Sequence, residues 1–158
     1  MFTKIVFRML LISATLSLLA LCAIAQEQEK KIGANEVPSI IIANFKAAYP
    51  NASIRGYASE KENGKQYYEI ESREGAIRRD VLYNPDGSLA EVEESIDASD
   101  LPASVQETLR KHHPRAVITL AEKTTIGDKV TYEVKAREGR KRFSIEFDAS
   151  GNVLKGKS

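Results

Sequence analysis

The side chains best equipped for chemistry in this 158-residue chain are few, and their spacing does not suit catalysis. The two histidines, His112 and His113, are adjacent and precede Pro114. Neighbours on a helix point about 100° apart, so the pair is poorly placed to share one metal ion. No further His and no downstream Cys completes a ligand set. At a helix C-terminus they would instead meet the last carbonyls and the negative end of the dipole. No G-x-S-x-G elbow is present. With only these two imidazoles, a Ser-His-acid triad has no base in a suitable place. Asn84-Pro85-Asp86-Gly87 and Asp148-Ala149-Ser150-Gly151 carry oxygens but lack the alternating ligands and distal glutamate of a calcium loop. Both read as tight turns. There is no P-loop and no G-x-G-x-x-G. The expectation is therefore no enzyme, no cofactor and no metal.

Charged residues form the one distinctive pattern. Glu69 and Glu71 lie two apart, on one side of a strand. Lys and Arg stand near each in sequence, so ordinary acidity is expected of them. The same parity collects Tyr67, Glu69, Glu71, Arg73, Arg78 and Asp80, then Glu133, Lys135, Arg137, Arg142, Ser144 and Glu146. Such a face, with Tyr and Arg among acids, suits recognition of a protein partner. A solvated face that serves only solubility has the same composition.

The elements that must position these residues come in two copies. At an offset of 64, residues 37–94 lie on residues 101–158 without a gap. Pro50 meets Pro114, Tyr68-Glu69 meets Tyr132-Glu133, Arg73-Glu74-Gly75 meets Arg137-Glu138-Gly139, and Gly87 meets Gly151. The matches fall on turns and on apolar positions of one parity, as shared backbone geometry requires.

Each copy opens with a helix. Ile41, Phe45 and Ala48 line one face in the first; Leu101, Val105 and Leu109 do so in the second, with Asp100 as a candidate cap. Four strands follow. In the first copy they are Ala52–Glu60, Gln66–Arg73, Ile77–Tyr83 and Ser88–Ser95, with a hairpin at Asn63-Gly64. In the second they are Ala116–Thr124, Val130–Arg137, Lys141–Phe147 and Asn152–Leu154. The fold class is α+β: two tandem units, each one helix on a four-stranded antiparallel meander. The two sheets could join edge to edge, which would hide one exposed edge of each.

The chain opens like an export signal. Lys4 and Arg8 precede an apolar run over residues 9–21, and Ala23 and Ala25 stand at −3 and −1 of an A-x-A cleavage site. Cys22 raises lipidation as an alternative, but Leu21 is bulky where a lipoprotein signal has a small residue. The domain reading is a signal peptide at 1–25, a polar linker at 26–36, and repeats at 37–96 and 97–158. Cleavage removes the only cysteine, so no disulfide is available. It also removes two cations, which takes the formal charge from +1 to −1. A near-neutral protein without a basic stripe has no field to attract nucleic acid. After signal removal no membrane span is expected, and the location is the periplasm or the exterior. A small-ligand carrier or envelope hydrolase, using a crevice between helix and sheet, is the second functional reading.

An export signal followed by tandem helix-plus-meander units resembles the PepSY-like family, whose architecture is related to secreted beta-lactamase inhibitory proteins. The residues that carry the resemblance are Tyr68, Ile70, Val81, Tyr83, Asp86, Gly87 and Leu89, then Tyr132, Val134, Ile145, Phe147, Asp148, Gly151 and Val153. The resemblance implies a non-catalytic binding or inhibitory module of the bacterial envelope, with a peptidase as one partner class. Those beta-lactamase inhibitors carry disulfides and this mature chain has no cysteine, so beta-lactamase is not the expected partner.

Overall fold

The computed structural model describes residues 28–157. The expected signal, with Cys22, Ala23 and Ala25, lies outside the described residues. The elements run β1 (Gln28–Lys31), a 3-10 turn (Ala34–Glu36), α1 (Ser39–Ala48), β2 (Ser53–Glu62), β3 (Lys65–Glu74), β4 (Ile77–Tyr83) and β5 (Leu89–Ile96). A second 3-10 turn (Ala98–Asp100) leads to α2 (Ala103–His112), β6 (Val117–Ile126), β7 (Lys129–Glu138), β8 (Lys141–Asp148) and β9 (Val153–Lys157).

All nine strands form one antiparallel sheet in sequence order. The two sheets of the repeat are thus one: β5 pairs with β6 from Val92 opposite Thr125 to Ile96 opposite Ala121. The segment read as a polar linker also departs from expectation. Its residues Gln28–Lys31 pair with Ala58–Lys61 of β2, and Ile32 donates its N–H to the Tyr57 carbonyl at 3.0 Å. A strand this polar forms because it satisfies the backbone groups on β2's otherwise open edge.

Both helices cover the same side of the sheet and enclose two apolar clusters. Ile41 and Phe45 of α1 pack with Val37, Ile70, Val81 and Tyr83. Val105 and Leu109 of α2 pack with Leu101, Val134, Ala136, Phe143 and Phe147. Ala48, read as part of the α1 stripe, is exposed. Ile96, at the end of β5, packs against the second cluster, so the sheet join also links the two cores.

Turn chemistry sets the hairpins. Asn63 and Gly64 take φ of 49° and 80°, the left-handed pair that a two-residue hairpin needs. Asp100 does not cap α2. Pro102 occupies that place, and its carbonyl accepts the Gln106 N–H at 3.0 Å. The chain must stay extended at Leu101 to bury that side chain, which leaves Asp100 in the preceding 3-10 turn. Among the described residues, no helix is long and apolar enough to cross a membrane.

Candidate functional site

The strand register gathers the charged residues on the side of the sheet away from the helices. Tyr67, Glu69, Glu71 and Arg73 lie on β3, Arg78 and Asp80 on β4, Glu133, Lys135 and Arg137 on β7, and Arg142 and Glu146 on β8. Alternate residues such as Ile70, Val81, Val134 and Phe143 point into the helix-covered cores.

Cross-strand pairing orders these side chains into rows. Glu71 stands opposite Asp80, and Asp80 opposite Glu93 of β5. In the second half Glu122 of β6 stands opposite Glu133, and Glu133 opposite Glu146. Like charges directly opposite one another oppose pairing, so each row costs stability. At the rim of both halves two arginines face each other: Arg73 opposite Arg78, and Arg137 opposite Arg142.

The rows are neutralised differently. Lys135 Nζ lies 2.8 Å from Glu122 Oε2 and 3.3 Å from Glu133 Oε2, and Ser144 donates its hydroxyl to Glu133. These carboxylates hold the Lys135 ammonium above its ordinary pKa. In the first row the exposed Lys31 lies 3.6 Å from Glu71, while Arg78 and Lys135 offset the acidity of Asp80 and Glu93 only in part and from farther away. Among the described residues, no ion pair reaches Glu69, Asp80 or Glu93.

The consequence for acidity is large. Burial, and then the charge of Asp80, pushes Glu69 up to about 7. Burial and Glu122 push Glu93 up to about 7 as well. Asp80 is raised by burial, with Glu71 and Glu122 adding to it. The expectation of ordinary acidity for Glu69 therefore fails. Nearness in sequence does not bring a cation: Arg73 turns away and donates its Nε–H to the Gly75 carbonyl at 2.8 Å.

Glu93 and Glu122 belong to this site, and sequence reading passed over both. Alternation in Glu91-Val92-Glu93 was the available signal, since it puts Glu93 on the same side as Asp80. The repeat does not mark Glu122, because its counterpart in the first half is Ala58.

Fold and face can now be set beside known proteins. The model of a family described as "Putative beta-lactamase-inhibitor-like, PepSY-like" matches the chain twice, at residues 24–91 and 66–155. The chain belongs to the PepSY-like family. Solved structures share the PepSY-like architecture at low identity. A "putative periplasmic" protein of Bacteroides eggerthii has a TM-score of 0.63 at 16% identity, over 77% of this chain and 88% of that one. A BLIP-like protein of Bacteroides fragilis gives 0.59 at 18%, over 77% and 85%. A DUF2874 family protein of Bacteroides ovatus gives 0.60 at 16%, over 77% and 86%. No curated protein matches the chain.

On the helix side this PepSY-like chain has a further concavity, between α2 and the β8–β9 end of the sheet. It encloses about 430 Å³, with Leu109, Phe143, Ile145 and Phe147 in its floor and His112 and His113 at its rim. His113 caps α2 through its N–H to the Leu109 carbonyl at 2.8 Å and places Nδ1 3.6 Å from Glu138. No group of three or more His, Cys, Asp or Glu residues able to hold a metal ion occurs among the described residues.

Proposed function

We propose that this chain is an exported, non-catalytic protein-binding module of the bacterial envelope, and that its open sheet face receives a partner's basic side chains. The in-register row Glu71–Asp80–Glu93 carries the reading. A face kept only for solubility would interleave charge signs, which removes cross-strand repulsion at no cost. This face instead keeps three carboxylates in line with Glu69 beside them, and puts arginine pairs at its ends. That pattern complements a partner with Lys or Arg at the centre of its footprint and acids at the edge. The export-type start of the sequence and the periplasmic description of a structural relative support an envelope location. The family description supports an inhibitor-like role, for which a peptidase is the partner class to test first.

A photoreactive residue placed at Glu91, on the same face and outside the row, should crosslink one defined envelope protein in living cells. The crosslinked peptide should be rich in Lys and Arg. Substituting Glu71→Gln, Asp80→Asn and Glu93→Gln together should abolish the product while the chain stays folded. A product that survives this triple substitution, or crosslinks formed only from the helix side, would reject the sheet face as the binding surface.

A further inference from the structure

The repeat holds a second surface, at the β9 edge of the sheet and on its helix side. At the offset of 64, β9 is the counterpart of β5: Leu89 corresponds to Val153 and Val92 to Gly156. β5 has hydrogen-bonded neighbours on both sides, β4 and β6, whereas among the described residues β9 pairs with β8 alone. The place that β6 fills beside β5 is therefore open beside β9.

The floor next to that open edge differs in the same sense. Val92 packs on the first apolar cluster. Gly156 offers no side chain, and a Cβ built there would meet nothing within 4 Å. Gly156 lines the 430 Å³ crevice above Phe143 and Phe147, and the corresponding crevice of the first half, beside Tyr49 and Tyr83, holds about 230 Å³. Val153 and Leu154 beside it are 54% and 48% exposed.

We propose that the β9 edge and this crevice form a docking site for an extended peptide of a partner protein, which adds as a tenth strand and presents alternating apolar and acidic residues. The β5–β6 pairing within the same chain is the template. Backbone bonds to the free edge would hold the peptide, and an apolar side chain over Gly156 would fill the space that Val92 fills in the first half. Charge selects the alternate residues: Lys155 stands next to Gly156 on β9 and points to the other side of the sheet, where the acidic side chains would lie.

The same lysine argues against a second copy. Antiparallel pairing of β9 with itself would bring two copies of Lys155 close together, and lysine on an edge strand is a common guard against self-pairing. The other edge strand, β1, reads Gln-Glu-Lys-Lys and has no apolar residue to enter the crevice. An acidic strand turns the guard into selectivity.

The test uses two fluorescein-labelled peptides, one alternating Glu with Val around a central Phe, the other with every Glu replaced by Lys. Fluorescence anisotropy should show saturable binding of the acidic peptide and none of the basic one. Gly156→Val should weaken binding about tenfold or more, with Tm unchanged or raised because the new side chain enters open space. Lys155→Glu should remove the preference for the acidic peptide. The triple substitution at Glu71, Asp80 and Glu93 should leave this binding intact, so failure of the open-face reading and failure of this one are separable. Equal binding of both peptides, no binding, or unchanged affinity in Gly156→Val would overturn the proposal. So would a wild-type dimer by sedimentation that Gly156→Val disrupts, since a second copy would then be the occupant.

Discussion

The ring of His113 lies against that of Phe143, with centroids 4.2 Å apart and planes 26° apart. At the matching place in the first half, the Arg79 guanidinium lies over the Tyr49 ring at 4.3 Å. The repeat has exchanged the two roles. In the first half the strand supplies the cation and the helix end the aromatic ring; in the second the helix end supplies the imidazole and the strand the ring. The acid between them keeps its position: Glu74 takes Arg79 at 3.5 Å, and Glu138 takes His113 at 3.6 Å.

This exchange predicts non-additive mutations. Arg79 is 8% exposed and also pairs with Glu94 at 3.2 Å. Arg79→Phe alone should cost roughly 2 kcal/mol, at the low end for a broken buried pair because both glutamates remain partly solvated. Adding Tyr49→His rebuilds the arrangement of the second half and should recover about 1 kcal/mol of that loss. Urea unfolding of the two single variants and the double variant measures the coupling. Strict additivity would show that the two places are not equivalent.

The glycines of the β4–β5 and β8–β9 turns should respond unequally to alanine. Both have positive φ, 88° at Gly87 and 82° at Gly151. Each turn also docks a helix: Asn44, in the middle of α1, donates to the Gly87 carbonyl at 2.8 Å, and Ser104, at the start of α2, to the Ala149 carbonyl at 3.0 Å. A Cβ at Gly151 would lie 2.6 Å from the Ser104 carbonyl oxygen, which is backbone and cannot yield. At Gly87 the nearest atom is a side-chain carbon of Ile40, at 2.9 Å, on an exposed residue that can rotate. Gly151→Ala should therefore cost about 3 kcal/mol and Gly87→Ala roughly half as much. Equal losses would contradict the docking geometry.

These glycines also show what the sequence discloses. Turn residues and the parity of apolar positions are local and repeated, so helices, hairpins and the buried sets around Ile70 and Val134 could be read directly. Two features could not. β1 has no apolar alternation, because it exists to satisfy β2's edge rather than to bury side chains. The acidity of Glu69 depends first on its burial in the folded sheet and then on Asp80, which is 11 residues away in sequence and on the next strand. Sequence places Lys and Arg nearby, but the register decides which charges meet.

The rim arginines give a direct test of the open face. Arg73 and Arg137 occupy equivalent places, each opposite another arginine. Both are exposed, so reversing them should change stability by less than about 0.5 kcal/mol. If an acidic rim on a partner meets them, the combined Arg73→Glu and Arg137→Glu variant should lower the association rate at least tenfold at low salt, with the difference shrinking as salt rises. Surface plasmon resonance against the crosslinked partner measures both. Unchanged kinetics would remove the rims from the interface.

The carboxylate row should give the protein an inverted pH profile. Folded Glu69 and Glu93 hold their protons up to about 7, whereas the unfolded chain releases them near 4.5. Between these values the native state binds more protons, so stability falls as pH rises. Their contribution is fully present below 4.5 and is lost through about 7. Asp86 and Asp148 act in the opposite sense. Hydrogen bonds from Ser88 and Asn152 pull their carboxyls below the ordinary 3.8, so what they contribute is lost as the solution becomes strongly acid. Stability should thus peak near pH 5 and fall toward pH 8 by about 1 kcal/mol for each glutamate, discounted for partial solvation. Thermal unfolding at several pH values measures the curve, and the combined Glu69→Gln and Glu93→Gln variant should flatten its upper limb. A basic partner should show the reverse dependence and bind more tightly at pH 8 than at pH 5, because only the ionised row attracts it. If stability is level from pH 5 to 8, or if the fall persists without the two glutamates, the raised acidity of Glu69 and Glu93 cannot stand.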